Sequence, residues 1–145
     1  MYPFYLELEL FKPVYNYFKN QGYVVKREVK IGYCRADIVA FKDDIVIAVE
    51  LKLQNWKKAI IQAKNYQLGA DYVYVAFLLM KSYSVLRKAE FNLKSSGIGF
   101  LIINDKTLKV CKIIEARKSN RKIGTMTLDS VNKIYKKKQI FFLIS

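Results

Sequence analysis

The 145-residue chain contains no histidine. That absence removes Ser-His-Asp and Cys-His triads, histidine-ligated zinc sites and histidine acid–base catalysis together. Any chemistry must run on carboxylates, lysines, tyrosines or a hard metal ion held by oxygen. Cysteine is nearly as scarce. Cys34 and Cys111 stand far apart without a C-x-x-C pattern, and they read as small core residues rather than as a disulfide or metal pair. No glycine-rich phosphate loop of the GxGxxG or P-loop kind occurs. No apolar run approaches the roughly 18–20 residues of a membrane span. The opening MYPFYLELEL carries acids where an export signal would carry bases. A cytoplasmic protein without membrane contact is the expectation.

Acidic residues are also few, 12 against 26 Lys and Arg, which leaves a net charge of +14. A surplus of this size attracts polyanions, nucleic acid foremost. Arg117, Lys118, Arg121, Lys122, Lys133, Lys136, Lys137 and Lys138 face a lone acid, Asp129, in residues 117–145. That stretch holds half of the net charge in a fifth of the chain. Its bases are candidates for tracking a phosphate backbone.

The periodicities predict the order αβββαβαββ, an α/β layout with helices flanking a mixed sheet. A helix is expected over about 4–20, with Leu10, Phe11, Val14, Tyr17 and Phe18 on its apolar face and Pro13 bending it from within. Strands follow at Tyr23–Ile31, Cys34–Phe41 and Ile45–Leu53, the last two joined by a tight turn at Lys42-Asp43-Asp44. Then come a helix at Gln54–Gly69, a strand at Tyr72–Leu79 and a helix at Ser82–Ser96. Ser82 or Ser84 would cap that helix and Gly97 would stop it. Strands at Gly99–Ile103 and Leu108–Ile114 close the body. Residues 1–116 form the expected domain, and 117–145 a basic extension packed on or beside it. Within the extension a short helix is expected near Thr127–Lys138. The apolar end Gln139–Ile144 could pair with the sheet or seed a homodimer.

Three residues interrupt this apolar pattern where chemistry could sit. Glu50 and Lys52 are two apart on one strand, so they project to the same face. If the Lys42–Asp44 turn sets the hairpin register, Asp37 lies level with them on the neighbouring strand. Carboxylates brought this close repel unless a cation lies between them, and burying such charge without purpose is costly. Magnesium typically takes one or two carboxylates with waters and phosphate oxygens. Asp37, Glu50 and the backbone carbonyl of Leu51 are therefore the candidate ligands of Mg²⁺ or Mn²⁺, with Lys52 beside the attacked phosphate. Glu28, in the first strand, is a reserve ligand.

The D-x12-E-x-K spacing on a β-hairpin, followed by a helix and set in an αβββαβ order, resembles the PD-(D/E)XK nuclease superfamily. That group includes restriction endonucleases, archaeal Holliday-junction resolvases and recB-type nuclease domains. The resemblance covers roughly Tyr5–Leu79, with Ala36 where the motif's name has proline. It implies a restriction-endonuclease-like core, Asp37 and Glu50 as metal ligands and Lys52 as the catalytic lysine. In that family the first helix often adds a glutamate. Glu7 and Glu9 compete for the role; helical phase with Phe11, Val14 and Phe18 favours Glu7. Gln62 and Tyr66 share a helix face at i, i+4, and they resemble the recB-type Q-x-x-x-Y motif, which contacts substrate near the metal. The expected function is hydrolysis of phosphodiester bonds, with DNA as substrate. The rivals are a non-catalytic nucleic-acid-binding protein on the same fold and an interaction protein docking through its basic tail.

Overall fold

The computed structural model describes the backbone of residues 7–31 and 34–120 and, from Glu9 onward, their side chains. A 3-10 turn, Glu7–Leu10, leads into helix α1 (Phe11–Lys19), followed by strands β1 (Val24–Ile31), β2 (Cys34–Lys42) and β3 (Ile45–Leu51). Helix α2 (Trp56–Tyr66), strand β4 (Tyr72–Leu78), helix α3 (Leu79–Ser96) and strands β5 (Gly99–Ile103) and β6 (Val110–Ile114) complete the order. The six strands form one sheet in chain order. β1, β2 and β3 are antiparallel neighbours, β3, β4 and β5 run parallel, and β6 returns antiparallel. Parallel neighbours need long crossovers, and α2 and α3 supply them. The result is a mixed α/β fold whose central sheet is flanked by helices.

The near-continuous apolar run of β3 follows from burial on both faces. Ile47, Val49 and Leu51 pack with Leu10, Val14 and Phe18 on the α1 side. Val46 and Ala48 pack with Ala59 and Ala63 of α2 and Val85, Ala89 and Leu93 of α3 on the other. Glu50 has the parity of Val46 and Ala48, which places it on the α2–α3 side.

Four expectations about the elements change. Pro13 does not bend the middle of a helix: α1 starts at Phe11, so Pro13 falls in its first turn and is buried. A missing N–H there costs nothing, because the first N–H groups of a helix have no partner within it. The third strand ends at Leu51 rather than Leu53, although the Lys52 N–H still donates to the Ala76 carbonyl at 3.1 Å. Neither Ser82 nor Ser84 caps α3. The helix starts at Leu79 straight out of β4, with extended Leu78 as its N-cap residue, and the Ser82 hydroxyl donates to the Leu79 carbonyl at 2.6 Å. Cys111 is exposed on the edge strand β6 rather than buried, while Cys34 is half-buried against the core; both are free thiols. Gly97 does end α3, at φ 72°, where a left-handed residue closes the last turn.

Residues 117–120 pack on this same body. The Ser119 N–H donates to the Asp71 carbonyl at 2.7 Å, and its hydroxyl donates to the Gln67 carbonyl at 2.8 Å. The expected helix at Thr127–Lys138 and the apolar end Gln139–Ile144 lie outside the described residues. Among the described residues no helix is long and apolar enough to cross a membrane.

Candidate active site

The β2–β3 ladder runs from Lys42↔Ile45 to Ile38↔Val49. The next facing pair would be Asp37 and Glu50, and there the strands part. Instead of a ladder bond, Asp37 Oδ2 accepts the Leu51 N–H at 2.8 Å. On the other side of β2, the register with β1 passes from Arg27↔Ile38 to Val29↔Ala36, skipping Glu28 and Asp37. Glu28 sits there at φ 53°, a left-handed backbone that a β-region residue rarely adopts. Across this point the strands turn over. Val25 and Ile38 pack on the α1 side, whereas Val29 and Ala36, of the same respective parity, pack on the α2–α3 side. The distortion carries Asp37 out of the regular pleat and toward the end of β3.

Glu50 is 2% exposed. Its Oε2 lies 3.4 Å from Lys52 Nζ, so the two side chains do project together. Its Oε1 lies 2.5 Å from the Tyr66 hydroxyl. Burial raises the Glu50 carboxyl to about 7, helped by the charge of Asp37 and a hydrogen bond between the two carboxyls; Tyr66 and Lys52 pull the other way. Two carboxyls in hydrogen-bond contact share a proton, because both cannot ionise cheaply side by side. The Tyr66 hydroxyl also reaches the Arg35 carbonyl at 3.0 Å. One hydroxyl proton cannot serve two acceptors at once, so the Glu50 carboxyl and the Arg35 carbonyl compete for it. Burial first, and then the Glu50 charge, push the Tyr66 phenol well above its usual range.

These residues can be tested against the hard cation that the sequence suggests. Among the described residues, no group of three or more His, Cys, Asp and Glu is placed to hold a metal. The carboxylate set is the pair Asp37 and Glu50, and magnesium needs no more than one or two carboxylates when water and substrate oxygens complete its shell. A carboxyl pair that must share a proton is what a divalent cation would relieve by replacing that proton. Gln62 adds a second sign. Its Oε1 is buried without a hydrogen-bond partner among the described residues, and buried polar atoms rarely go unmatched without a reason. It stands one turn before Tyr66 on α2, a bare acceptor on the helix that covers the carboxylates. The residues present fit the group.

The other sequence-based candidates divide. Leu51 contributes its N–H to Asp37, while its side chain is buried on the α1 side. Glu28 is level with Asp37 but exposed on β1. The Glu7 side chain lies outside the described residues. The segment Glu7–Leu10 is a 3-10 turn beside β3, so the α-helical phase that favoured Glu7 over Glu9 does not apply there. Arg117 does not join the site: its guanidinium donates to the Lys94 and Ser95 carbonyls at 2.7 and 3.2 Å, at the C-terminus of α3. That end of the sheet is where Asp71 Oδ2 accepts the Val46 N–H, opposite to Glu50 and Lys52. Exposed Lys118 follows it there. Arg121, Lys122, Lys136, Lys137 and Lys138 lie outside the described residues. The engagement of Tyr66 by Glu50 and Arg35 was not readable from the sequence; its one signal was the Q-x-x-x-Y spacing. A cavity of about 240 Å³ lined by Tyr17, Tyr72, Tyr74, Lys112 and Glu115 opens at the far end of β3 and shares no residue with this site.

No protein-family model and no curated protein matches the chain. Among solved structures, the fold is similar to that of an XisH family protein from Nostoc punctiforme PCC 73102, with a TM-score of 0.56. The two share 18% identity over 74% of this chain and 98% of the other. The likeness is one of fold.

Proposed function

We propose that the chain is a divalent-metal-dependent phosphodiesterase of nucleic acid, a nuclease of the PD-(D/E)XK kind, with DNA as its substrate. The observation that carries this reading is the meeting of Asp37, Glu50 and Lys52 where β2 and β3 part. The mixed sheet with its αβββαβ beginning agrees with a restriction-endonuclease-like core. Asp37 and Glu50, with the Leu51 carbonyl, would hold Mg²⁺ or Mn²⁺. When bound, that ion supplies Lewis acidity to the phosphate and the attacking water. Lys52, next to Glu50, places a positive charge where charge develops on the phosphate, and it orients the nucleophile. Tyr66 fixes the Glu50 rotamer from behind, and Gln62 offers its amide oxygen toward a donor brought by ion-bound water or substrate.

Incubation with Mg²⁺ or Mn²⁺ and single-stranded, duplex, flap and four-way-junction DNA tests the proposal. Cleavage is expected to vanish in Asp37→Ala and Glu50→Ala while DNA binding persists. Lys52→Ala should lose roughly 10²–10³-fold in rate yet still bind Mn²⁺ by titration calorimetry. Undiminished metal-stimulated hydrolysis in either carboxylate variant would sink the reading.

A further inference from the structure

A groove of about 500 Å³ runs between α1 and the edge strand β1. Phe11, Tyr15 and Tyr23 line it with Lys19, Lys26 and Arg27, and no acid is among its lining residues. Two of its cations are arranged on rings. The Arg27 guanidinium lies 4.7 Å from the Phe11 ring centroid, and Lys19 Nζ lies 5.3 Å from that of Tyr15. At the rim, Lys42 Nζ lies 5.4 Å from the Tyr23 ring and donates to the Gln21 carbonyl. A carboxylate would hold such a side chain in place by cancelling its charge. An aromatic face holds it by the quadrupole and by packing along the stem, and the charge remains whole. Neither Lys19 nor Arg27 makes an ion pair among the described residues. Both are thus oriented cations whose charge is not cancelled. Arg27 stands at the end of the groove nearest Asp37 in sequence register, paired with Ile38, while Glu50 lies on the opposite, α2–α3 face of the sheet.

We infer that this groove is a track for the phosphodiester backbone of the nucleic acid, with Arg27 and Lys19 binding phosphates. The inference rests on the nucleic-acid reading above and moves its backbone contacts from Arg117 and Lys118 to α1 and β1. Recognition would be independent of sequence, because cations read phosphates and not base edges.

The test is binding of a fluorescent DNA oligonucleotide to the full chain in EDTA, where cleavage does not run, across a range of salt concentrations. Removing one phosphate-binding cation lowers the slope of log affinity against log salt by roughly 0.7–0.9. Arg27→Ala and Lys19→Ala should each lower it by about that amount, and Arg27→Lys should restore it. Lys106→Ala, an exposed base on the turn between β5 and β6, should leave it unchanged. Slopes for Arg27→Ala and Lys19→Ala equal to that of Lys106→Ala would overturn the inference, as would binding to anionic vesicles without binding to the oligonucleotide. A slope reduced in this way supports the groove even if no divalent ion elicits cleavage, an outcome that would defeat the nuclease reading alone. Metal-dependent cleavage with an unchanged slope would defeat the groove alone.

Discussion

Glu50 is where the proposed chemistry and the stability of the chain meet. Its carboxyl is raised from an ordinary 4.5 to about 7, so between those values the folded protein binds more protons than the unfolded one. Stability therefore falls as pH rises through this window, by roughly 3 kcal/mol in total at 1.36 kcal/mol per unit, and it is flat above. Chemical denaturation of the metal-free protein at pH 5 and pH 8 checks this. Glu50→Gln should be the more stable chain at pH 8, with the advantage shrinking at pH 5; an equal difference at both would refute the assignment. Tyr66→Phe removes the hydroxyl that steadies the Glu50 carboxylate, so the fall should shift to higher pH and stability should drop by about 1–2 kcal/mol. The sequence made Glu50 and Lys52 legible because strand alternation alone sets their common face. It did not show that Tyr66 would be spent on Glu50, because that contact depends on how far α2 crosses back over β3.

At the scale of elements, two backbone positions decide how well the sheet closes. A Cβ on Gly99 would lie 2.2 Å from the Tyr74 ring and 2.8 Å from the Ala116 nitrogen. Tyr74 faces Gly99 across the β4–β5 pair and reaches toward Ala116 with its hydroxyl. Gly99→Ala should cost about 2 kcal/mol through overpacking, visible as a lower thermal midpoint; an unchanged midpoint would mean that Tyr74 can swing aside. Leu108 presents the opposite case. It holds φ 62° while half exposed in the turn before β6, and a left-handed apolar residue costs roughly 1–2 kcal/mol. Leu108→Gly should therefore raise the midpoint, by roughly 2–4 °C for about 1 kcal/mol. The order of elements and the hairpin register were readable from hydrophobic period and from the Lys42–Asp44 turn. The turnover at Glu28 and Asp37 was not, since neither the alternation of β1 nor the apolar run of β2 marks a break in the pleat. The 3-10 turn at Glu7–Leu10 escaped for a related reason: its leucines and glutamates suit a longer helix equally well.

For the whole molecule, a charge of +14 on 145 residues poses the question of which bases touch a polyanion and which only repel one another. The described bases divide by context. Arg117 is committed to the end of α3, and Lys94 and Lys112 are paired with Glu90 and Glu115 at 2.7 and 2.8 Å. Arg27 and Lys19 are held on rings with their charge intact. The bases of 121–145 form a second block of charge. If groove and tail grip the same nucleic acid, their contributions to log affinity should add, as independent sites do. The triple variant Lys136→Ala, Lys137→Ala, Lys138→Ala should then lower the salt slope by up to about 2–3. Combining it with Arg27→Ala should lower the slope by the sum of the two separate decreases, measured by fluorescence anisotropy at several salt concentrations. A triple variant that binds with the wild-type slope would assign the tail charge to solubility and leave the groove between α1 and β1 as the polyanion's seat.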